Sequence, residues 1–279
     1  MTVYEKAYAK INLFLDVTGR RDDGFHDIVT VMHSVSLCDD IRLTTIPSDE
    51  RHITITSSDP SLPVDKSNLI YKSAEKYMAI FNINDNIEIL LEKRIPIGAG
   101  LGGGSSDAAA TLRALNKIYG CVTKDQLLHM ASELGSDVPF CIDGGCATCI
   151  GRGENIRKFD CKFNRYYRYI VIAIGEMRVS TPEAYALLDK KYGDFKSYNE
   201  NKSFPDMGSM PNYNIFESVI KHNEIDVIKR IMLENGARQT LMSGSGPSVF
   251  GGFKNFVAAS FATKALKKQG FSAYKCRLI

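Results

Sequence analysis

The chain lacks any run of about 18 apolar residues, the length a helix needs to cross a bilayer, so a membrane-spanning helix is not expected. It also lacks charge of one dominant sign: 35 Lys and Arg against 32 Asp and Glu leave a formal +3 over 279 residues. That is far from the dense basic footprint of a protein that holds nucleic acid or an anionic membrane, although a small anionic ligand stays open. The first ten residues carry Glu5, Lys6 and Lys10 where a secretory leader needs an uninterrupted apolar stretch, so a cytoplasmic protein is expected. Neither an internal repeat nor a low-complexity tract is present, and no protein partner is inferred. The seven cysteines are odd in number and uneven in spacing, which suits reduced thiols better than a disulfide framework.

What is present is an ordinary globular composition, 44% hydrophobic and 24% charged. A chain of this length allows about two domains and a core that needs no covalent staples. Strand-like segments fill the first hundred residues: 10–17, 28–37, 41–46, 52–56 and 87–95, with one helix over 68–81 capped by Ser67. Helices follow over 105–119, ending at Gly120, and from the capping box Thr123-x-x-Gln126 to Gly135. Beyond Gly151 the pattern is mixed. Strand 169–174 precedes a helix over 184–191 in which Thr181 is the cap and Pro182 the first helical residue. A polar loop spans 193–214, and helices at 215–221, 225–234 and 257–268 alternate with strands at 239–242, 248–253 and 272–277. The class is α+β with mixed and antiparallel sheets, and a boundary falls near residue 155.

Four cysteines crowd into 141–161, and Cys141-x4-Cys146-x2-Cys149 with Cys161 has the spacing of a plant-type iron–sulfur loop. Against that stands a strand, 146–150, holding small buried thiols, because free Cys packs as a compact hydrophobe. The second reading is preferred and no metal ligands are assigned. His33, His52, His129 and His222 share no ligand-like spacing.

The most informative segment is Pro96-Ile97-Gly98-Ala99-Gly100-Leu101-Gly102-Gly103-Gly104-Ser105-Ser106-Asp107, between a strand and a helix start. Five glycines in seven positions clear away side chains, so main-chain N–H groups can close on a phosphate at the positive end of the helix. Ser105 and Ser106 either cap that helix or give hydroxyls to phosphate or metal. Gly98-x-Gly100-x-x-Gly103 also fits a dinucleotide fingerprint, but the preceding strand exposes Glu88 and Glu92, and no acidic residue ends a strand about 20 positions on. A P-loop is excluded because Ser105, not Lys, follows Gly104.

Pro96-x-x-x-Gly100-Leu101-Gly102-Gly103-Gly104-Ser105-Ser106-Asp107-Ala108 resembles the central signature of the GHMP kinases. Ala7-x-Ala9-Lys10-Ile11-Asn12-Leu13 resembles their N-terminal motif, and Leu241 to Phe250 their C-terminal glycine-rich motif. Within the family, Gly19-Arg20-Arg21-x-x-Gly24-Phe25-His26 and Gly135-Ser136-Asp137-Val138-Pro139-Phe140 are similar to members that phosphorylate a cytidine diphosphate-linked polyol on the non-mevalonate isoprenoid route.

The resemblance implies a two-domain fold, 1–155 binding ATP and 156–279 completing it, with the active site in the cleft between domains. It implies ATP as phosphoryl donor with Mg²⁺, and a small-molecule substrate carrying a cytidine diphosphate group. The loop from Pro96 to Ser106 would wrap the ATP phosphates, with Lys10 and Asp137 as the catalytic pair. Asn12, Phe25, His26, Thr181 and Tyr185 would bind substrate, Phe25 and Tyr185 by stacking on the base and His26 at its edge. Taken alone, Lys10 between Ala9 and Ile11 can point to solvent, Asp137 can be a turn carboxylate, and Phe25 and Tyr185 can be core. Lys10 and Asn12, two apart, share a strand face. A kinase for mevalonate or homoserine and a non-catalytic ligand sensor of the same fold are the alternatives.

Overall fold

The computed structural model describes residues 1–158, 163–193 and 212–279. By contacts the chain forms two compact units that interleave along the sequence: 1–9, 38–97 and 102–144 make the first, and 10–37, 98–101 and 145–279 the second. The division at residue 155 runs through consecutive halves; the contact units differ from it because two long strands, β1 (Thr2–Arg20) and β2 (His26–Ile46), each contribute residues to both.

In the first unit β2 pairs antiparallel with β4 (Asn86–Glu92), from Asp40 opposite Glu92 to Ile46 opposite Asn86, and β3 (His52–Ser57) pairs parallel with β4. β4 alternates as its sequence requires: Ile87, Ile89 and Leu91 face the core while Glu88, Leu90 and Glu92 are exposed. Helices α1 (Leu69–Ile80), α2 (Gly103–Tyr119), α3 (Lys124–Leu134) and α4 (Val138–Asp143) complete the unit. α2 carries Ala108, Ala109, Ala110 and Ala114, all fully buried, beside Leu112 and Leu115. Small residues there let neighbouring helices approach closely, and each buried Leu or Ile contributes about 1.5–3 kcal/mol.

The second unit holds an antiparallel sheet of order β11-β7-β10-β9, built from Ser272–Cys276, Tyr169–Ile174, Val249–Phe253 and Gln239–Met242. Helices α6 (Thr181–Tyr192), α7 (Asn223–Glu234) and α8 (Phe256–Lys268) supply Leu188, Ile228, Met232 and Leu266 to its core. The first part of β2 pairs with β5 (Cys146–Gly151), which pairs with β6 (Asn155–Lys158), and β8 (Tyr213–Asn214) runs parallel to Phe14 and Leu15 of β1. A single helical turn, α5 (Phe163–Tyr166), precedes β7. Among the described residues no helix is long and apolar enough to cross a membrane.

Several local expectations change. β1 starts at Thr2, not at residue 10, because its inward row includes buried Glu5, whose charge breaks the apolar pattern; Arg113 Nε meets its Oε2 at 2.9 Å. α1 is capped by Asn68, which accepts from Ile70 N–H, while Ser67 donates to the Asp65 carboxylate. α6 is capped by Ser180, with Glu183 closing the capping box, so Thr181 is already helical. Residues 215–218 form a 3₁₀ turn. Most of the expected 193–214 loop, and Cys161, lie outside the described residues.

Candidate active site

The helix start of the glycine-rich segment belongs to the first unit. α2 begins at Gly103, two residues earlier than its apolar pattern predicts, because Gly102 takes the left-handed conformation (φ 68°) and serves as N-cap without a side chain. The two serines therefore do not cap. Ser106 is buried, its Oγ–H donates to Tyr8 O at 2.5 Å, and its N–H closes the first helical bond to Gly102 O. Among the described residues, the N–H groups of Gly103, Gly104 and Ser105 donate to no carbonyl of the chain, as in the first turn of any helix. Gly98, Ala99, Gly100 and Leu101 fall in the second unit, and their N–H groups likewise donate to no carbonyl among the described residues. Such undonated N–H groups suit an anion.

Beneath the helix start lies a buried ionic group. Lys93 Nζ donates to Asp39 Oδ2 at 2.5 Å and to Asp107 Oδ2 at 2.8 Å, with the three side chains 4%, 0% and 3% exposed. Asp39 Oδ1 also accepts from Arg94 N–H and Ile95 N–H. Burial and the neighbouring Asp39 charge outweigh Lys93 and push the Asp107 carboxyl up to about 7. Lys93 is held above its ordinary value, since the two carboxylates outweigh its own burial penalty. Two carboxylates and one ammonium would leave a net buried negative charge, which a proton on Asp107 removes. An unfolded Asp titrates near ~3.9. Between there and about 7 the folded state holds a proton that the unfolded state does not. Stability from Asp107 is therefore greatest at low pH and falls as pH rises to about 7. Urea unfolding midpoints across that window, in wild type and Asp107→Asn, should diverge with pH; parallel profiles would remove the proton from Asp107.

Lys10 and Asn12 face inward together on β1. Lys10 is 4% exposed, so alternation does not carry it to solvent, and its Nζ donates to Asn12 Oδ1 at 2.8 Å. Asn12 Nδ2 donates to Thr30 Oγ1, which donates to Phe14 O, and Asn12 N–H donates to Ser243 Oγ. Ser243 Oγ–H donates to Gly100 O at 3.1 Å, and Lys10 N–H to Leu101 O, so the 98–101 turn is fastened to the lysine's own strand. Asn214 Nδ2 fixes the 242–246 turn through Met242 O and Gly244 O. Thr30, Asn214 and the seating role of Ser243 were missed by the sequence reading, because single polar residues in apolar strands carry no local signal. Asp137 belongs to the first unit, half-buried at the N-cap position of α4, where its side chain makes no capping bond.

The second unit also gathers Phe25, His26, Thr181 and Tyr185. The His26 and Tyr185 rings stack with centroids 4.5 Å apart, and Tyr185 meets Phe216 edge-on. One turn along α6, Asp189 Oδ1 lies 2.7 Å from His26 Nε2; a carboxylate only accepts, so the proton of that bond sits on Nε2. Phe25 is half exposed, with the Arg152 guanidinium 3.8 Å from its ring centroid. Thr181, free of capping, shares a hydrogen bond with Ser245 at 3.1 Å. Asp189 and Arg152 had no motif to mark them.

Cys146 and Cys149 stand three apart on β5 and so face opposite sides, paired across from His33 and Thr30. Among the described residues no group of three His, Cys, Asp or Glu side chains is placed to hold a metal ion.

A glycine-rich turn with undonated N–H groups opening α2, in an α+β chain with a buried lysine beside a second glycine turn, is an arrangement suited to a small-molecule kinase. Family models give that class its name: the GHMP kinases N terminal domain matches residues 68–145 and the GHMP kinases C terminal matches 202–272, and the chain belongs to the GHMP kinases. A 4-diphosphocytidyl-2-C-methyl-D-erythritol kinase of Exiguobacterium sibiricum is 42% identical over 271 residues, covering 90% of this chain and 88% of the relative. The enzyme of that name from Bacillus subtilis is 40% identical over 260 residues with the same coverage. A solved 4-(cytidine 5'-diphospho)-2C-methyl-D-erythritol kinase aligns over 99% of both chains with TM-score 0.82 and 32% identity. A Methanococcus jannaschii mevalonate kinase, at TM-score 0.75 and 17% identity, shares the fold.

Proposed function

We propose that the chain transfers the γ-phosphoryl group of ATP to the 2-hydroxyl of 4-diphosphocytidyl-2-C-methyl-D-erythritol, giving ADP and the 2-phosphate, in the cytoplasm and on the non-mevalonate route to isoprenoid precursors. The observation that carries this reading is the 42% identity to a kinase of that name along nine-tenths of the chain. In it, the N–H groups of residues 98–105 receive the ATP phosphates, and Ser106, its donors already engaged, fastens the helix that presents them. Asp137 accepts the proton of the attacking hydroxyl as the new O–P bond forms and the bond to ADP breaks. Lys10 stabilises charge on the attacking oxygen, with Asn12 holding its ammonium at 2.8 Å. Phe25 stacks on the cytosine, His26 and Tyr185 shape the base site, and Thr181 lines the substrate. Mg²⁺ carried on the nucleotide would neutralise phosphate charge.

An ADP-release assay with Mg-ATP and three acceptors tests this. The cytidyl substrate should support turnover, and mevalonate and homoserine should not; turnover with either of those, or with none, refutes the substrate assignment. Phe25→Ala should raise KM for the cytidyl substrate roughly 2- to 13-fold, from a stacking contribution of about 0.5–1.5 kcal/mol, and leave KM for ATP unchanged.

A further inference from the structure

The glycine-rich loop must hold its N–H groups still before a nucleotide arrives, yet it has few side chains with which to do so. Glycine maximises the freedom that ordering has to remove, and beyond the bonds that Gly100 O and Leu101 O accept from Ser243 and Lys10, constraint can come from residues flanking the loop. Both flanks meet at one buried group. At the entry, Asp39 Oδ1 accepts from Arg94 N–H at 2.5 Å and Ile95 N–H at 2.8 Å, the last two N–H groups before Pro96. At the exit, Asp107 stands in the first turns of α2, and its Oδ2 accepts from Lys93 Nζ. Lys93 joins the two, and its Nζ lies 3.0 Å from where a Cβ on Gly103 would sit, so a side chain at the residue that opens the helix would meet the ammonium.

The group is a poor choice if stability were all that mattered. Ionic side chains this deeply buried lose their hydration, and an apolar trio of equal volume is commonly as stable or more so. Directional bonds to two main-chain N–H groups and to a helix side chain do something an apolar trio does not: they fix where each end of the loop lies. We propose that Asp39, Lys93 and Asp107 act together as a positioning clamp for the ATP loop, so that nucleotide binding depends on them while recognition of the phosphoryl acceptor does not. The proposal rests on reading residues 98–105 as the phosphate site.

The clamp is tested by Lys93→Met in the full-length protein. Binding of a non-hydrolysable ATP analogue, measured by calorimetry, should weaken roughly 10- to 100-fold, the size of effect a misplacement of about 1 Å has at a reacting group. KM for ATP should rise with it, and KM for the cytidyl acceptor should stay the same. Asp39→Asn, which leaves a neutral Lys93–Asp107 pair, should show the same split and carries the test should Lys93→Met fail to fold. Unchanged analogue affinity in a folded variant, or an equal loss for both substrates, overturns the clamp. Amide exchange of residues 98–105 in the wild type separates the two ideas: protection by the analogue supports the phosphate site whatever the variants do, and its absence removes that site and the clamp with it.

Discussion

Asp137→Asn should lower kcat by about 10²- to 10⁴-fold, the range that a positioned general base contributes. Both KM values should stay within about twofold, because an amide keeps the carboxylate's shape and its hydrogen-bond reach but cannot take the hydroxyl proton. Asp137 sits at the N-cap position of α4, where its side chain makes no capping bond. Main chain and packing contribute to the turn: Cys141 N–H donates to Asp137 O, and Val138, Pro139 and Phe140 are buried. Steady-state kinetics beside a melting curve decide the matter. A folded variant with wild-type kcat would reduce Asp137 to a turn carboxylate.

Gly100→Ala should be strongly damaging. Gly100 has φ 75°, a region where an L side chain costs roughly 1–2 kcal/mol. The added Cβ would lie 2.3 Å from Ser243 O and 3.1 Å from Gly246 O, both main-chain atoms with no rotamer to escape into. Relieving that contact means pulling the 98–101 turn off the 243–246 turn, which breaks the Ser243 Oγ bond to Gly100 O. Together the strain and overpacking should reach about 3 kcal/mol or more. Activity should fall with the melting temperature, and KM for ATP should rise in whatever protein remains folded. Gly98→Ala is the control: its φ is also positive, at 68°, but a Cβ there meets nothing within 4 Å. It should suffer the backbone penalty alone, so equal damage at both positions would remove the contact from the explanation.

The glycine-rich segment, the Lys10 and Asn12 face, and most elements could be read from the order of residues. Periodicity two in β4 and the capping box at Thr123 are local rules, and local rules survive folding intact. The misses share one cause. Ser67 and Thr181 looked like caps because each precedes a helical pattern, yet a neighbour, Asn68 or Ser180, took the role once the backbone chose its register. β1 was read short because Glu5 interrupts the apolar row, and Arg113 and Lys117, more than a hundred residues away in sequence, explain how a carboxylate can sit there.

By itself, the sequence determined that this chain carries a glycine turn of the GHMP kind between a strand and a helix, since glycine spacing acts directly on the main chain. The tertiary structure decided what each polar side chain near that turn is for. It turned Ser106 from a candidate phosphate donor into a fastening on Tyr8, laid His26 between Tyr185 and Asp189, and gave Lys93 two carboxylate partners 54 and 14 residues distant. Hydrogen-bond partners lying that far apart in the chain leave no mark in local spacing, because the bond is made only after the elements that carry them have packed.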